Sequence, residues 1–245
     1  MKVLAVDLNC DLGEGCGYDA EIMPFVTSAS IACGGHAGDA ATMRAVAELA
    51  RRHGTAVGAH PGYPEREYFG RRELHLSPDE VERLVAEQVA ALQAIAPVVH
   101  VKPHGALYNQ AARDATVAEA VVAGVRACGA GLALFAPAGS VLAQAGRRAG
   151  LRVVEEAFAD RRYRADGSLA ARNLTGAVIE DEAAALAQAL ALVRDGTVMT
   201  LDGTPLAVRA DTLCLHGDGA GAGTLARALR SGLEAAGVTV RRPEG

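Results

Sequence analysis

The strongest constraint on this chain is an alternation. Short apolar runs that break into polar, glycine-rich turns take turns with segments of helical hydrophobic period. Residues 3–10, 28–33, 55–59, 98–103, 132–137, 153–157 and 211–215 read as seven strands, rich in Val, Ile, Leu and Ala and closed by Gly, Pro or Asp. Between them the helix signals are explicit. Asp39 is placed to cap a helix over 40–52. Ser77-Pro78-Asp79-Glu80 combines an N-cap serine, a proline at the first helical position and the glutamate of a capping box. Val81, Leu84, Val85, Val89, Leu92 and Ile95 then follow at helical spacing. Further helices are expected over 112–127, 140–149, from Asp181 onward, and over 223–236, with a hairpin over 197–208 turning at Asp202-Gly203. Such alternation implies a parallel sheet with its helices outside. Without a linker, long repeat or low-complexity tract, residues 1–245 read as one domain.

Seven strand–helix units allow an open doubly wound sheet or a closed barrel, and the polar residues decide between them. Asp11, His36, His60, Lys102 with His104, Asp160 and His216 follow six different strands, each at its C-terminal end. An open sheet spreads such residues along a line, whereas a barrel gathers them into one ring. The expected fold is therefore α/β, a seven-stranded (β/α) barrel of distorted TIM-like form.

The stretch Val98-Val99-His100-Val101-Lys102-Pro103-His104-Gly105 sharpens this reading. Alternation puts His100, Lys102 and His104 on one face and Val99, Val101 and Pro103 on the other. The only other lysine is Lys2, and every other basic side chain apart from histidine is arginine. A lysine kept inside a valine-rich strand, where burial readily shifts its proton affinity, marks a working residue at the rim. His100 lies deeper and reads as structural.

Four strand ends carrying His36, His60, His104 and His216, out of seven histidines in all, suit a divalent metal. With no local ligand motif, a metal site and a metal-free acid–base site both remain open. Asp11 and Asp160 can act as bases or orient a histidine. The arginines at 71, 72, 161 and 162 can grip an anion in bidentate fashion. Other classes drop out. Neither lysine sits in a Walker A loop, the glycines at 13, 15 and 17 do not space as a dinucleotide fingerprint, and there is no Gly-x-Ser-x-Gly elbow. A net charge of −5 gives no electrostatic case for nucleic acid or an anionic membrane. No apolar run is long enough to span a bilayer, and Asp7 comes too early for a signal peptide. Five scattered cysteines without a Cys-x-x-Cys pair are expected to be free thiols in the cytoplasm.

The motifs together resemble the LamB/YcsF family: Asp7-Leu8-Asn9-Cys10-Asp11-Leu12-Gly13-Glu14-Gly15, Ile31-Ala32-Cys33-Gly34-Gly35-His36-Ala37-Gly38-Asp39, Gly58-Ala59-His60-Pro61-Gly62-Tyr63-Pro64, Phe69-Gly70-Arg71-Arg72, Val101-Lys102-Pro103-His104-Gly105-Ala106-Leu107-Tyr108-Asn109, Glu156-Ala157-Phe158-Ala159-Asp160-Arg161 and Cys214-Leu215-His216-Gly217-Asp218. They cover nearly the whole chain in order. The resemblance implies a barrel similar to that of glycoside hydrolases and polysaccharide deacetylases. It also implies ATP-dependent opening of 5-oxo-L-proline to L-glutamate, with ATP as co-substrate, a possible divalent metal, and separate B and C subunits as partners. On that basis Asp11, His60, Lys102, His104 and Asp160 are expected to be catalytic. Asp11 or His104 would deprotonate water, while Lys102 and His60 would stabilise oxyanion or phosphate charge. Asn9, His36, Tyr63, Arg72, Arg161, His216 and Asp218 are expected to bind substrate. Gly35 stands where the family usually has a bulkier residue, which would open one wall of the pocket. Residues 171–176 are a loose version of the usual loop. The alternatives are a metal-dependent deacetylase-like amidohydrolase acting alone, and a non-catalytic protein that binds substrate or serves as a scaffold.

Overall fold

The computed structural model describes residues 4–243. Val3, the expected start of the first strand, and Lys2 lie outside the described residues. Seven parallel strands close on themselves: β1 (Ala5–Leu12), β2 (Ser28–Ala32), β3 (Ala56–His60), β4 (His100–Val101), β5 (Ala133–Pro137), β6 (Arg152–Phe158) and β9 (Thr212–Leu215), with β9 pairing back onto β1. The expected barrel is what forms. β7 (Thr197–Met199) and β8 (Pro205–Ala207) make the expected antiparallel hairpin. A short β10 (Thr239–Val240), which the sequence did not announce, pairs with Ala5 and Val6.

Helices form where their caps stand. Asp39 accepts from the Thr42 N–H at the start of α2 (Ala40–His53), following the one-turn α1 (Asp19–Ile22). Ser77 and Glu80 complete their capping box on α3 (Pro78–Gln93), which buries Val81, Val85, Val89 and Leu92 against the barrel. Each fully buried Val or Leu contributes about 1.5–3 kcal/mol of transfer free energy, so this stripe fixes the helix on the sheet. The single helix expected over 112–127 is instead two, α4 (Gly105–Ala111) and α5 (Ala115–Ala127). The Asp114 carboxylate accepts from Thr116 and Val117 N–H and starts a new helix there. α6 (Val141–Arg148), α7 (Glu182–Asp195) and α8 (Ala222–Ala235) complete the outer layer.

β4 is shorter than the valine run predicts, and Val99 is exposed. Its ladder nonetheless extends on either side: Val99 N–H bonds Val57 O at 2.9 Å and Lys102 N–H bonds Ala59 O at 2.9 Å, before Pro103 ends it. The main apolar core lies between strands and helices, while inside the barrel only Ala133, Phe135 and Val154 form a small apolar cluster. Above it His100 stacks on Phe135 at 4.1 Å and reaches Ser30 Oγ at 3.2 Å. Burial lowers its pKa to about 3, so it sits neutral. It needs a neighbouring strand without a side chain, because a Cβ on Gly58 would lie 2.0 Å from its ring.

Candidate functional site

The barrel interior carries a chain of polar contacts between strands that are not neighbours. Lys102, only 2 % exposed, reaches across from the end of β4 to Asn9 Oδ1 (2.7 Å) and Asp11 Oδ1 (2.7 Å) on β1, Glu156 Oε1 (2.9 Å) on β6 and Cys214 Sγ (3.3 Å) on β9. Asn9 also donates to Glu156 Oε1 and Thr212 Oγ1, and Tyr108 of α4 donates its hydroxyl to Glu156 Oε2. Burial would pull the Lys102 pKa down, but the Asp11 carboxylate first, and then its other anionic neighbours, hold it well above the usual lysine value. Lys102 is therefore a fixed ammonium with four partners for three N–H bonds, and none is left to donate to an incoming oxyanion.

Toward the mouth, Asp11 leads to a histidine cluster. Its Oδ2 lies 3.3 Å from His60 Nε2. Burial raises the Asp11 pKa, yet His60 and Lys102 outweigh it and keep the carboxyl well below the carboxylate range. His60 Nδ1 is 2.7 Å from Lys102 O, and His104 Nε2 is 2.8 Å from Phe69 O. A carbonyl only accepts, so both of those nitrogens carry hydrogen. The facing atoms, His60 Nε2 and His104 Nδ1, are 2.9 Å apart. Glu14 Oε1 stands 3.0 Å from His36 Nε2, 3.2 Å from His104 Nδ1 and 3.7 Å from His60 Nε2. One ligand atom from each of Glu14, His36, His60 and His104 falls within 4.8 Å of the other three. The His36 ring stacks on His104 at 3.6 Å, and His60 meets His104 edge-on at 87°.

Burial pushes His36 down to about 4 and also lowers His104, so both are neutral. Burial pushes His60 down as well, but Asp11 and then Glu14 outweigh it and hold it above its ordinary value. Glu14 is raised by burial and lowered more strongly by its hydrogen bonds to His104 and His36, ending well below the carboxylate range. Phe69 supports this arrangement with a left-handed backbone, φ 56°, a conformation that costs a non-glycine residue about 1–2 kcal/mol.

A second group is joined to the first through Phe69. The Arg71 guanidinium lies over the Phe69 ring at 5.3 Å and pairs with Asp218 Oδ2 at 3.1 Å, which Arg172 shares at 2.8 Å. Beside them Asp160 Oδ2 takes His216 Nδ1 at 2.7 Å and His216 N–H at 3.1 Å. His216 stacks on Phe158 and stands outside the four-residue cluster, so it is not a fourth histidine of a metal set. Burial raises Asp160 but His216 outweighs it, keeping the carboxyl low. Arg161 is buried, with one Nη2 bond to Ala170 O at 2.6 Å, and its pKa is lowered by burial and then by Arg172. Asp160 Oδ1 and Arg161 Nε are buried without hydrogen-bond partners.

Three expectations are revised by this placement. Tyr63 is fully buried with its hydroxyl on Gln110 at 2.6 Å, in the core rather than at the mouth. Arg72 pairs with Glu65 and lies over Tyr68; its neighbour Arg71 is the one that reaches the site. Gly35 opens no wall. The Gln88 amide brackets Gly62 N–H (3.0 Å) and Gly62 O (2.8 Å), and a Cβ on Gly35 would lie 2.5 Å from Gln88 Oε1. Glu14, Tyr108, Glu156 and Arg172 were not singled out as site residues. Strand parity could have found Glu156, which faces inward beside an outward Glu155, and the i, i+4 spacing from His104 could have found Tyr108.

Comparison with known proteins gives one consistent picture. The model of the LamB/YcsF family matches residues 6–245. A Chloroflexus aggregans protein, named as the A subunit of 5-oxoprolinase, is 54 % identical over 98 % of this chain and 100 % of its own length. A Heliobacterium modesticaldum protein of the same name is 48 % identical over 97 % of this chain and 98 % of its own. Among solved structures, the lactam utilization protein of Thermus thermophilus superposes with a TM-score of 0.90 at 48 % identity, covering 97 % of this chain and 99 % of that one. A deacetylase solved with substrate matches with a TM-score of 0.53 at 14 % identity over 97 % of this chain and 87 % of its own, a likeness of fold alone.

Proposed function

This chain belongs to the LamB/YcsF family, and on that premise we propose that it is the A subunit of an ATP-dependent 5-oxoprolinase. In this reading it is a hydrolase that opens 5-oxo-L-proline to L-glutamate with conversion of ATP to ADP and phosphate, and residues 1–245 act as a single barrel unit. The observation that carries the reading is the pair of unmet valences on adjacent residues: Arg161 Nε lacks an acceptor and Asp160 Oδ1 lacks a donor. 5-Oxoproline offers both from one carbon, a carboxylate for Arg161 and a lactam N–H for Asp160. Arg71 and Arg172, joined on Asp218, add positive charge beside that carboxylate.

A five-membered lactam is unstrained and amide-stabilised, so opening it needs activation. Phosphorylation of the lactam oxygen by ATP supplies it by turning that oxygen into a leaving group. The proton of the attacking water goes to Asp11 or to neutral His104, the two acceptors on the mouth side. Lys102 acts through Asp11. Its fixed charge holds that carboxylate ionised and aimed, rather than touching the oxyanion itself. Because neither lysine sits in a Walker A loop, ATP is used by the complex with partner B and C subunits. The five cysteines are free, and no helix among the described residues is long and apolar enough to cross a membrane, which supports a cytoplasmic location.

The test is glutamate release that depends on both ATP and 5-oxoproline, measured with this chain alone and then with its partner subunits. Turnover should need the partners. ATP-independent amide hydrolysis by the isolated chain would instead favour the deacetylase-like alternative. In the active complex, Asp160→Asn and Arg161→Gln should each raise KM for 5-oxoproline about 10–100-fold, the worth of one charge-assisted hydrogen bond. An unchanged KM would remove the substrate from this corner.

A further inference from the structure

The cluster beneath the mouth has a valence problem that a metal ion resolves. His60 and His104 each spend their outer ring N–H on a backbone carbonyl, Lys102 O at 2.7 Å and Phe69 O at 2.8 Å. Their inner nitrogens therefore present two lone pairs to each other at 2.9 Å, with the Glu14 oxygen 3.2 Å from one and 3.7 Å from the other. Three acceptors this close repel unless a cation lies among them. The spacings suit a metal: ligands bound at 2.0–2.2 Å in a tetrahedron are about 3.3–3.6 Å apart. The ring planes of His60 and His104 cross at 87°, so one point can lie in both planes and along both lone pairs. An outer N–H fixed by a carbonyl is also the arrangement that orients histidine ligands.

We propose that His60 Nε2, His104 Nδ1 and a Glu14 carboxylate oxygen bind one first-row divalent metal ion of the zinc or cobalt class, with a fourth position open on the Asp11 side. His36 is not a ligand in this arrangement. Its ring lies parallel to His104 at 3.6 Å and cannot aim a lone pair at the same point, while its Nε2 sits 3.0 Å from Glu14. It is a positioning residue that donates to the ligand carboxylate. Charge points the same way: the carboxylates of Asp11, Glu14 and Glu156 are joined in one network with a single ammonium, Lys102, leaving an excess of two negative charges. The inference stands on ring geometry and holds whether or not 5-oxoproline is the substrate.

The experiment measures metal rather than turnover. The full chain, purified without chelator, is assayed for bound metal by mass spectrometry, then stripped and titrated with Co²⁺ alone while its visible absorption is followed. One ion per chain and a saturable cobalt spectrum are expected. His60→Ala, His104→Ala and Glu14→Gln should abolish or greatly weaken cobalt binding. His36→Asn should weaken it about 10–100-fold, the usual effect of losing a partner that orients a ligand. His216→Ala should bind as the wild type does. Folding of each variant is checked by circular dichroism, and any variant that unfolds is replaced by His104→Gln, which keeps a polar side chain but not the imidazole lone pair. The proposal is overturned if the wild type shows no saturable cobalt binding. It is also overturned if folded His60 and His104 variants bind as tightly as the wild type. In that case a proton on His60 is the shared cation.

Discussion

Replacing Lys102 with Met tests the reasoning about the barrel interior most directly, because it keeps the volume and deletes the charge. In the wild type the ammonium is 2 % exposed and sits 2.7 Å from Asp11 Oδ1, 2.7 Å from Asn9 Oδ1 and 2.9 Å from Glu156 Oε1. Without it two carboxylates face each other in the interior. Removing one partner of a buried ion pair costs about 3–5 kcal/mol, since the partner's desolvation is no longer offset. For a chain of this size each kcal/mol moves Tm by about 2–4 °C, so the melting temperature should fall on the order of 10 °C. Glu156→Gln added to Lys102→Met removes one stranded charge. The double variant should then be more stable than the sum of the singles by roughly 1–3 kcal/mol. Turnover should not return with stability, because Asp11 remains released. Lys102→Arg should not rescue either, since a guanidinium is larger than the space the ammonium fills. Urea denaturation followed by circular dichroism measures the cycle. A Lys102→Met protein as stable as the wild type, or strictly additive singles, would refute the account of Lys102 as a saturated structural cation.

Two further outcomes follow from other parts of the fold. Asp7, buried at the base of the barrel with its carboxylate on Thr27, Ser28 and Thr212, has its pKa raised to about 6 by burial. A raised acid pKa means the folded state prefers the protonated form: its contribution is full below pH 3.8 and is lost as pH rises through about 6. Two units at about 1.4 kcal/mol each give about 3 kcal/mol. Asp7→Asn should therefore flatten the stability profile between those pH values and gain stability at neutral pH; an unchanged slope would contradict the assignment. Gly35→Ala should cost about 1–3 kcal/mol in urea denaturation, because its methyl meets Gln88 Oε1 at 2.5 Å and Gly62 O at 2.6 Å, and a neutral effect would show that this wall yields.

The barrel was legible because its evidence is periodic. Polar residues at six strand ends imply closure, and parity alone turns Lys102 inward and Val99 outward. The site was less legible wherever direction is set by irregular backbone. Glu14 sits in a loop among Gly13, Gly15 and Gly17, all at positive φ, so no period announces where its carboxylate points. Arg71 and Arg72 are indistinguishable in sequence, yet the turn through left-handed Phe69 sends one to Asp218 and the other to Glu65. Gly35 misled for a related reason. A missing side chain reads as space, but here a side chain from α3, distant in sequence, fills it. The readiest misreading was chemical. A buried lysine invites the expectation of a lowered pKa, and only the count of its partners shows the opposite.

Counting spare valences separates roles that residue types alone would merge. Lys102 has none left, so it acts on Asp11 rather than on substrate. Asp160 and Arg161 each keep one, and a buried polar atom without a partner costs about 1–3 kcal/mol, a cost that a ligand with a complementary donor and acceptor offsets on binding. His60 and His104 keep one lone pair each, aimed at each other, and these can be satisfied together only by a cation. The same elementary count thus assigns the anion-and-amide grip to one side of the mouth and the cation to the other. Phe69 ties them, its carbonyl on His104 and its ring under Arg71. Movement of the Arg71 side on substrate binding is therefore transmitted to His104 through a backbone already held in an unfavourable φ. A substrate-bound complex should show a change in the His104 ring resonances even though His104 lies on the other side of Phe69 from the arginines.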